Sequence, residues 1–223
     1  MIIPFEQELG QLKEKLLTMA SYAEGAVNRA IKALVQRDDD LARNVTGDDA
    51  IVDQLEIEID ELAIQLLSKA PLANDLRLIT VAMKISSDLE RVADEATTIA
   101  RRSIELSLEP QLKPYVEIQR MAVMALEMLK EALDSFVNRD TAKARSIIPR
   151  DKEVDMMNKQ LHRELSSYMV ERPNTITRCL NLMVISKSLE RIADHAANVA
   201  EEVVYLYEAR DIRHSGQSVN PLA

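Results

Sequence analysis

Small and apolar residues recur along this chain in steps of three and four. Between residues 78 and 106 they fall at Leu78, Ala82, Ile85, Leu89, Val92, Ala96, Ile99, Ser103 and Leu106. Between 182 and 206 they fall at Leu182, Ile185, Leu189, Ile192, Ala196, Val199, Val203 and Leu206. That spacing keeps one stripe on an α-helix, and sustained over several turns it is the seam of a helical bundle. Breakers divide the pattern. Asp38–Asp40 separates a predicted helix over 5–37 from one over 40–69, and Pro71, with Asn74 as candidate N-cap, opens a third that runs to about 107. Pro110 and Pro114 bracket a linker, after which helices are expected over 115–138, 141–170 and, beyond Pro173-Asn174, 175–208. Periodicity fades after Tyr207, so 209–223 is expected to be a flexible tail.

The second half repeats the first. "MASYAEGAVNRAIKALVQRDD" (19–39) aligns with "MAVMALEMLKEALDSFVNRDT" (121–141) at an offset of 102, which also carries "GDDAIVD" (47–53) onto "PRDKEVD" (149–155). The offset drops to 100 where Leu89-Glu90-Arg91 meets Leu189-Glu190-Arg191 and Ala93-Asp94 meets Ala193-Asp194. Two residues are lost at the intervening turn, as loops permit. Short connections make consecutive helices antiparallel neighbours. The expected fold is all-α: a tandem pair of antiparallel three-helix bundles, one over 5–108 and one over 115–208.

Composition agrees with helices. Gly numbers 4 in 223 residues, Trp is absent and aromatics make up 3%, so the core is built from aliphatic residues, Met and Ala. A net charge of −9 argues against binding a nucleic-acid backbone, which draws its affinity from clustered Lys and Arg. The single cysteine, Cys179, excludes an internal disulfide, suits a reducing compartment and reads as a packing residue. The N-terminus lacks the basic start and apolar run of a signal peptide, and no stretch is apolar enough to span a membrane.

The chemistry lies off the seam. Glu90 and Asp94 share a helix face, Thr98 continues the row in steps of four, and Glu190, Asp194 and Asn198 repeat it. A solvated charged face is the plain reading, but such a face interleaves opposite charges at i±3 and i±4. Glu90 has no basic residue at those positions. Nor do Asp49 and Asp53 of the preceding helix, whose repeats are Asp151 and Asp155; Asp94 and Glu190, by contrast, can reach Arg91 and Lys187. Counted from the turn between the two helices, Asp53 and Glu90 are nearly equidistant, as are Asp49 and Asp94; the second half matches. Equal distance from an antiparallel turn means equal height. Four carboxylates are thus expected at one level of each bundle, which would be repulsive without a counter-ion and would raise proton affinities. Hard cations require oxygen-rich sites of this kind, so a metal site in each half is the favoured expectation. The first row continues to Glu56 and Asp60, the second to Asn158 and His162, where an imidazole is either recruited or simply exposed. His195 faces away from Asp94's counterpart and is left out. Arg91 and Arg191 are either solvated helix charges or groups that orient a partner's acids or phosphate.

With the doubled L-E-R-[IV]-A-D, the paired carboxylates and the tandem three-helix plan, the chain resembles the PhoU family of phosphate-specific transport accessory proteins and phosphate-signalling regulators. The resemblance covers about residues 5–208. It implies a cytoplasmic, often dimeric, negative regulator of the bacterial phosphate-starvation response. Such a protein works between the ATPase-driven phosphate transporter and a sensor histidine kinase, and several members bind multinuclear iron or zinc clusters. Manganese or magnesium would also suit the oxygen donors. Carried over by position, Asp49, Asp53, Glu90 and Asp94 would serve one cluster and Asp151, Asp155, Glu190 and Asp194 the other. Asn198 matches the family's pattern, whereas Thr98 and Glu95 depart from it in the first half. Two other readings compete. A di-metal carboxylate oxidase needs Glu-x-x-His pairs, which the chain lacks, so no catalysis is expected. A metal-free adaptor would use the same carboxylates as docking patches for basic partner surfaces.

Overall fold

The computed structural model describes residues 5–70 and 72–212, all helix and short connections. Three long helices form the first half: α1 (Phe5–Gln36), α2 (Asp39–Leu67) and α3 (Ala73–Ser107). The second half holds α4 (Val116–Asn138), α5 (Thr141–Ile147), α6 (Asp151–Glu171) and α7 (Ile176–Glu208). α1, α2 and α3 pack on one another, α4, α5 and α6 pack on α7, and α3 lies along α7 between the two clusters. The architecture is all-α on the three-plus-three plan.

The first turn of each half is built identically. Arg37 and Arg139 end their helices with φ of 55° and 57°. Asp38 and Asp140 follow as N-caps, accepting from the backbone N–H of Leu41 and Lys143 at 2.9 Å each. A left-handed residue closes the outgoing helix, and a carboxylate satisfies an orphan donor of the incoming one.

Two boundaries depart from expectation. The helix predicted over 141–170 is broken: a 3-10 turn over Ile148–Arg150 separates α5 from α6. Pro149 has no N–H for the helical ladder, and its ring clashes with the preceding turn. The N-cap of α3 is Leu72, which makes no side-chain cap; Asn74 sits inside the first turn and accepts from Arg77. Pro71 lies outside the described residues, as does the tail beyond Ile212.

Every residue of the two predicted seams is buried. α3 and α7 bury a second stripe as well, including Val81, Ala93 and Ala100 on one and Ala193, Ala200 and Val204 on the other. Each serves its own bundle and the contact between bundles. Cys179 is fully buried and points its thiol at Thr175 Oγ1, 3.7 Å away. The linker is held by Arg37, which donates to the carbonyls of Ser107 (2.7 Å) and Glu109 (2.6 Å), and by Arg178, which donates to that of Pro110 (3.0 Å). Among the described residues no helix is long and apolar enough to cross a membrane.

Candidate functional site

The antiparallel pairing of α2 with α3 brings Asp49, Asp53, Glu90 and Asp94 into one electrostatic neighbourhood, and Glu56 joins them. The pairing of α6 with α7 does the same for Asp151, Asp155, Glu190 and Asp194. Crowding shows in their proton affinities. Burial pushes Glu90 up to about 7; Asp94, Glu56 and Asp53 add to the rise and Arg91 opposes it. Asp49 and Glu56 are also raised, chiefly by burial and next by Asp53 and Asp60 respectively. In the second half Asp151 rises to about 6 through burial, the charge of Asp194 and a hydrogen bond shared with it.

The expected metal centres are not there. No group of three or more His, Cys, Asp or Glu among the described residues is placed to hold a metal ion. This overturns the assignment of iron, zinc, manganese or magnesium to these eight carboxylates. The physical reason is that the chain relieves the repulsion by other means. Arg91 folds back on its own helix, Nε 3.4 Å from Glu90 and Nη1 3.6 Å from Asp94. Lys187 pairs with Glu190, and Lys159 lies 2.6 Å from Asp155. Glu90 and Asp151 hold protons into the range about 6 to 7. Protein cations and protons thus take the place assigned to an external ion.

Four accessory residues point elsewhere, and helix geometry explains two of them. Steps of four at 100° per residue drift by about 40° each, so a row starting at Glu90 and Asp94 is carried on by position 97, not 98. Thr97 accordingly faces Asp49, while Thr98 borders a groove between α3 and α7. Asn198 has drifted likewise, and its Nδ2 donates to Asp88 Oδ1 at 3.4 Å. The third residue, His162, donates from Nε2 to the Met183 carbonyl (3.2 Å) and lies 3.1 Å from Ser186 Oγ, which donates to Asn158 (2.8 Å). The fourth, Arg191, reaches across to the first half and meets Glu95 at 2.9 Å.

That last contact belongs to a line of charged pairs the sequence reading missed. Lys84 meets Glu202 at 3.0 Å, and His195 Nδ1 lies 2.8 Å from Asp88. With Glu95–Arg191 they join α3 to α7 along the contact between halves. The signal was available: Lys84 and Glu95 stand opposite Glu202 and Arg191 once α3 and α7 are laid antiparallel.

Known proteins share this arrangement. The PhoU domain family matches residues 16–103 and 118–203, one domain per half. A phosphate-specific transport system accessory protein PhoU homolog from Pseudomonas aeruginosa is 42% identical over 214 residues, covering 95% of this chain and 88% of that protein. One from Aquifex aeolicus is 41% identical, covering 93% and 95%. The crystal structure of PhoU from Pseudomonas aeruginosa superposes with a TM-score of 0.90 at 41% identity, over 93% of this chain and all of that one. The phosphate transport system regulatory protein PhoU from Streptococcus pneumoniae gives 0.88 at 29% identity, over 94% and 99%. These are accessory and regulatory proteins by name, and the expectation that the chain is not an enzyme stands with them. With both halves matched and relatives above 40% identity along nearly its whole length, the chain belongs to the PhoU family.

Proposed function

We propose that this chain is a metal-free helical adaptor that accompanies a phosphate-specific transport system and restrains the phosphate-starvation response. The reading rests first on membership of a family whose relatives are named as accessory to such a system. It rests next on one observation: two carboxylate faces, one on α2 and α3 and one on α6 and α7, balanced by the chain's own cations and protons. A face balanced in that way exchanges its internal partners readily for the Lys and Arg of another protein, because exposed ion pairs are individually weak. In this reading the halves over 5–108 and 115–208 act as two docking units, and the partners are the cytoplasmic ATPase of the transporter and the sensor histidine kinase. The protein works in the cytoplasm as a homodimer.

The test is binding of the purified ATPase and kinase by interferometry. A variant carrying Asp53→Asn, Asp94→Asn, Asp155→Asn and Asp194→Asn is compared with the native chain. Loss of four rim charges should weaken binding roughly tenfold and flatten its dependence on salt. Equal affinity and an equal salt slope would remove the acidic faces from the reading.

A further inference from the structure

The contact between α3 and α7 has two sides, and the internal repeat makes them counterparts. On one side Lys84 is fastened to both Glu202 oxygens at 3.0 and 3.1 Å and lies over the Tyr205 ring, 5.4 Å from its centre. The repeat carries Thr80 onto Leu180, Lys84 onto Val184, Glu202 onto Arg102 and Tyr205 onto Glu105. Those exchanges dismantle the fastening. Val184 offers Arg102 nothing to bind, and Arg102 turns along its own helix to Glu105 at 2.9 Å. What remains is an open groove of about 710 Å³, with Leu180, Met183 and Val184 of α7 along its floor. Leu180 is half exposed, and Ile176, one turn earlier on the same helix, is also exposed.

The groove is basic on an acidic protein. Arg102, Lys187 and Arg191 border it, against a single carboxylate, Glu105. Lys187 and Arg191 have partners, Glu190 and Glu95, but those carboxylates are turned inward, with side chains 10% and 12% exposed. The two cations' side chains are 45% and 55% exposed, so both remain within reach of a partner's carboxylates. Along α7 the lining changes character, from apolar at 180–184 to cationic at 187–191. That stretch spans about three helical turns, or roughly 16 Å.

We infer that this groove receives an amphipathic helix of a partner protein, about three turns long, its apolar side chains over Leu180 and Val184 and its carboxylates over Lys187 and Arg191. Leu180, Met183, Val184 and Lys187 share one face of α7 and form a strip long enough to receive a docked helix's own anchors at i, i+3 or i+4 and i+7. Charge complementarity selects an acidic flank. The groove adjoins the second acidic face, with Lys187 paired to Glu190 between them, but it is bordered by charge of the opposite sign. Variants at Leu180, Val184 and Arg102 leave that face's carboxylates in place, so the two readings are tested separately.

The probe is a fluorescein-labelled 16-residue helical peptide with Leu at the anchor positions and Glu along one flank, read by anisotropy. The native chain should bind it saturably below about 1 mM. The double variant Val184→Lys/Arg102→Glu transplants the opposite side's ion pair and should bind at least roughly tenfold more weakly. Leu180→Ser, a milder change at an exposed site, should do likewise with circular dichroism unchanged, and it carries the test if the double variant misfolds. Equal binding by the folded variants, no saturation below that concentration, or equal binding of a Lys-flanked peptide would each overturn the inference. So would a native dimer, seen by light scattering, that the double variant dissociates, because the groove would then belong to a second copy of the chain.

Discussion

The two acidic faces come from one repeated plan that keeps four carboxylates and changes what surrounds them. Where the first half has Glu56 and Asp60, the second has Asn158 and His162. In the first half Glu56 stays charged company for Asp53 and Asp94, and Asp49, Glu56 and Glu90 all have raised proton affinities. In the second half Asn158 is buried and accepts from Ser186, whose hydroxyl also meets His162, and Asp151 has a raised proton affinity. The serine's counterpart, Ser86, has no such partner and turns to the sulfur of Met19 at 3.3 Å. The second face thus exchanges two carboxylates for neutral hydrogen-bonding groups and gains Lys159 and Lys187 where the first half has Ile57 and Ser87. The first face answers its crowding with Arg91 and raised proton affinities, the second with two lysines and neutral hydrogen-bonding groups.

Importing the first half's residue into the second should break that contrast most severely. Asn158→Glu places a carboxylate at a position 6% exposed, beside Ser186 and one turn from Asp155. A buried charge without a counter-ion costs several kcal/mol, and protonation relieves only part of it, so a loss of about 3 kcal/mol is expected at pH 8. Urea unfolding measures it. A loss under about 1 kcal/mol would mean that the asparagine is not what separates the two faces.

The pattern of seams was legible because packing in a bundle is periodic and local: Leu89 and Leu189 announce themselves by their neighbours three and four residues away. The level at which four carboxylates meet was legible too, since an antiparallel turn converts counting into height. Their balance was not. Arg91 reaches Glu90 from the adjacent position, which a search at i±3 and i±4 passes over. Lys159, four residues after Asp155, was within that search and overlooked. Arg191 and His195 find partners about a hundred residues away, visible only after α3 is laid against α7. Rows drawn in steps of four also misplace their third member, which is why Thr98 and Asn198 were set beside the wrong carboxylates. Crowded acids imply some neutralising charge, but not whether a metal, a proton or an arginine supplies it.

A smaller effect sharpens the same contrast through pH. The carboxyl of Glu90 titrates at about 7 in the folded chain, against 4.5 for an ordinary glutamate. The folded state therefore holds a proton that the unfolded state has released, between about pH 4.5 and 7. Stability is greatest below that window and falls as pH rises through it. Glu90→Gln mimics the protonated form and should be close to neutral at pH 4. At pH 8 it should stabilise by about 1 kcal/mol after solvent screening, raising the melting temperature by about 2–4 °C. Calorimetry at both pH values decides it. A variant equally stabilised at pH 4 and 8 would show that the glutamate is unfavourable for its shape and not its charge.

The smallest effect probes what keeps the second face quiet. Lys159 lies four residues after Asp155 on the same helix, with a side chain 65% exposed. Exposed pairs at this spacing contribute about 0.3–0.5 kcal/mol and are screened by salt. Lys159→Ala should therefore lower stability by less than about 0.5 kcal/mol at low ionic strength and leave it unchanged in 1 M salt. If the loss instead matched that of Asn158→Glu, neutrality of the second face would depend on its lysine. The two faces would then differ in their cations, not in the exchange of Glu56 and Asp60 for Asn158 and His162. A small, salt-sensitive loss leaves the lysine free to be displaced by an incoming basic side chain, as docking on that face requires.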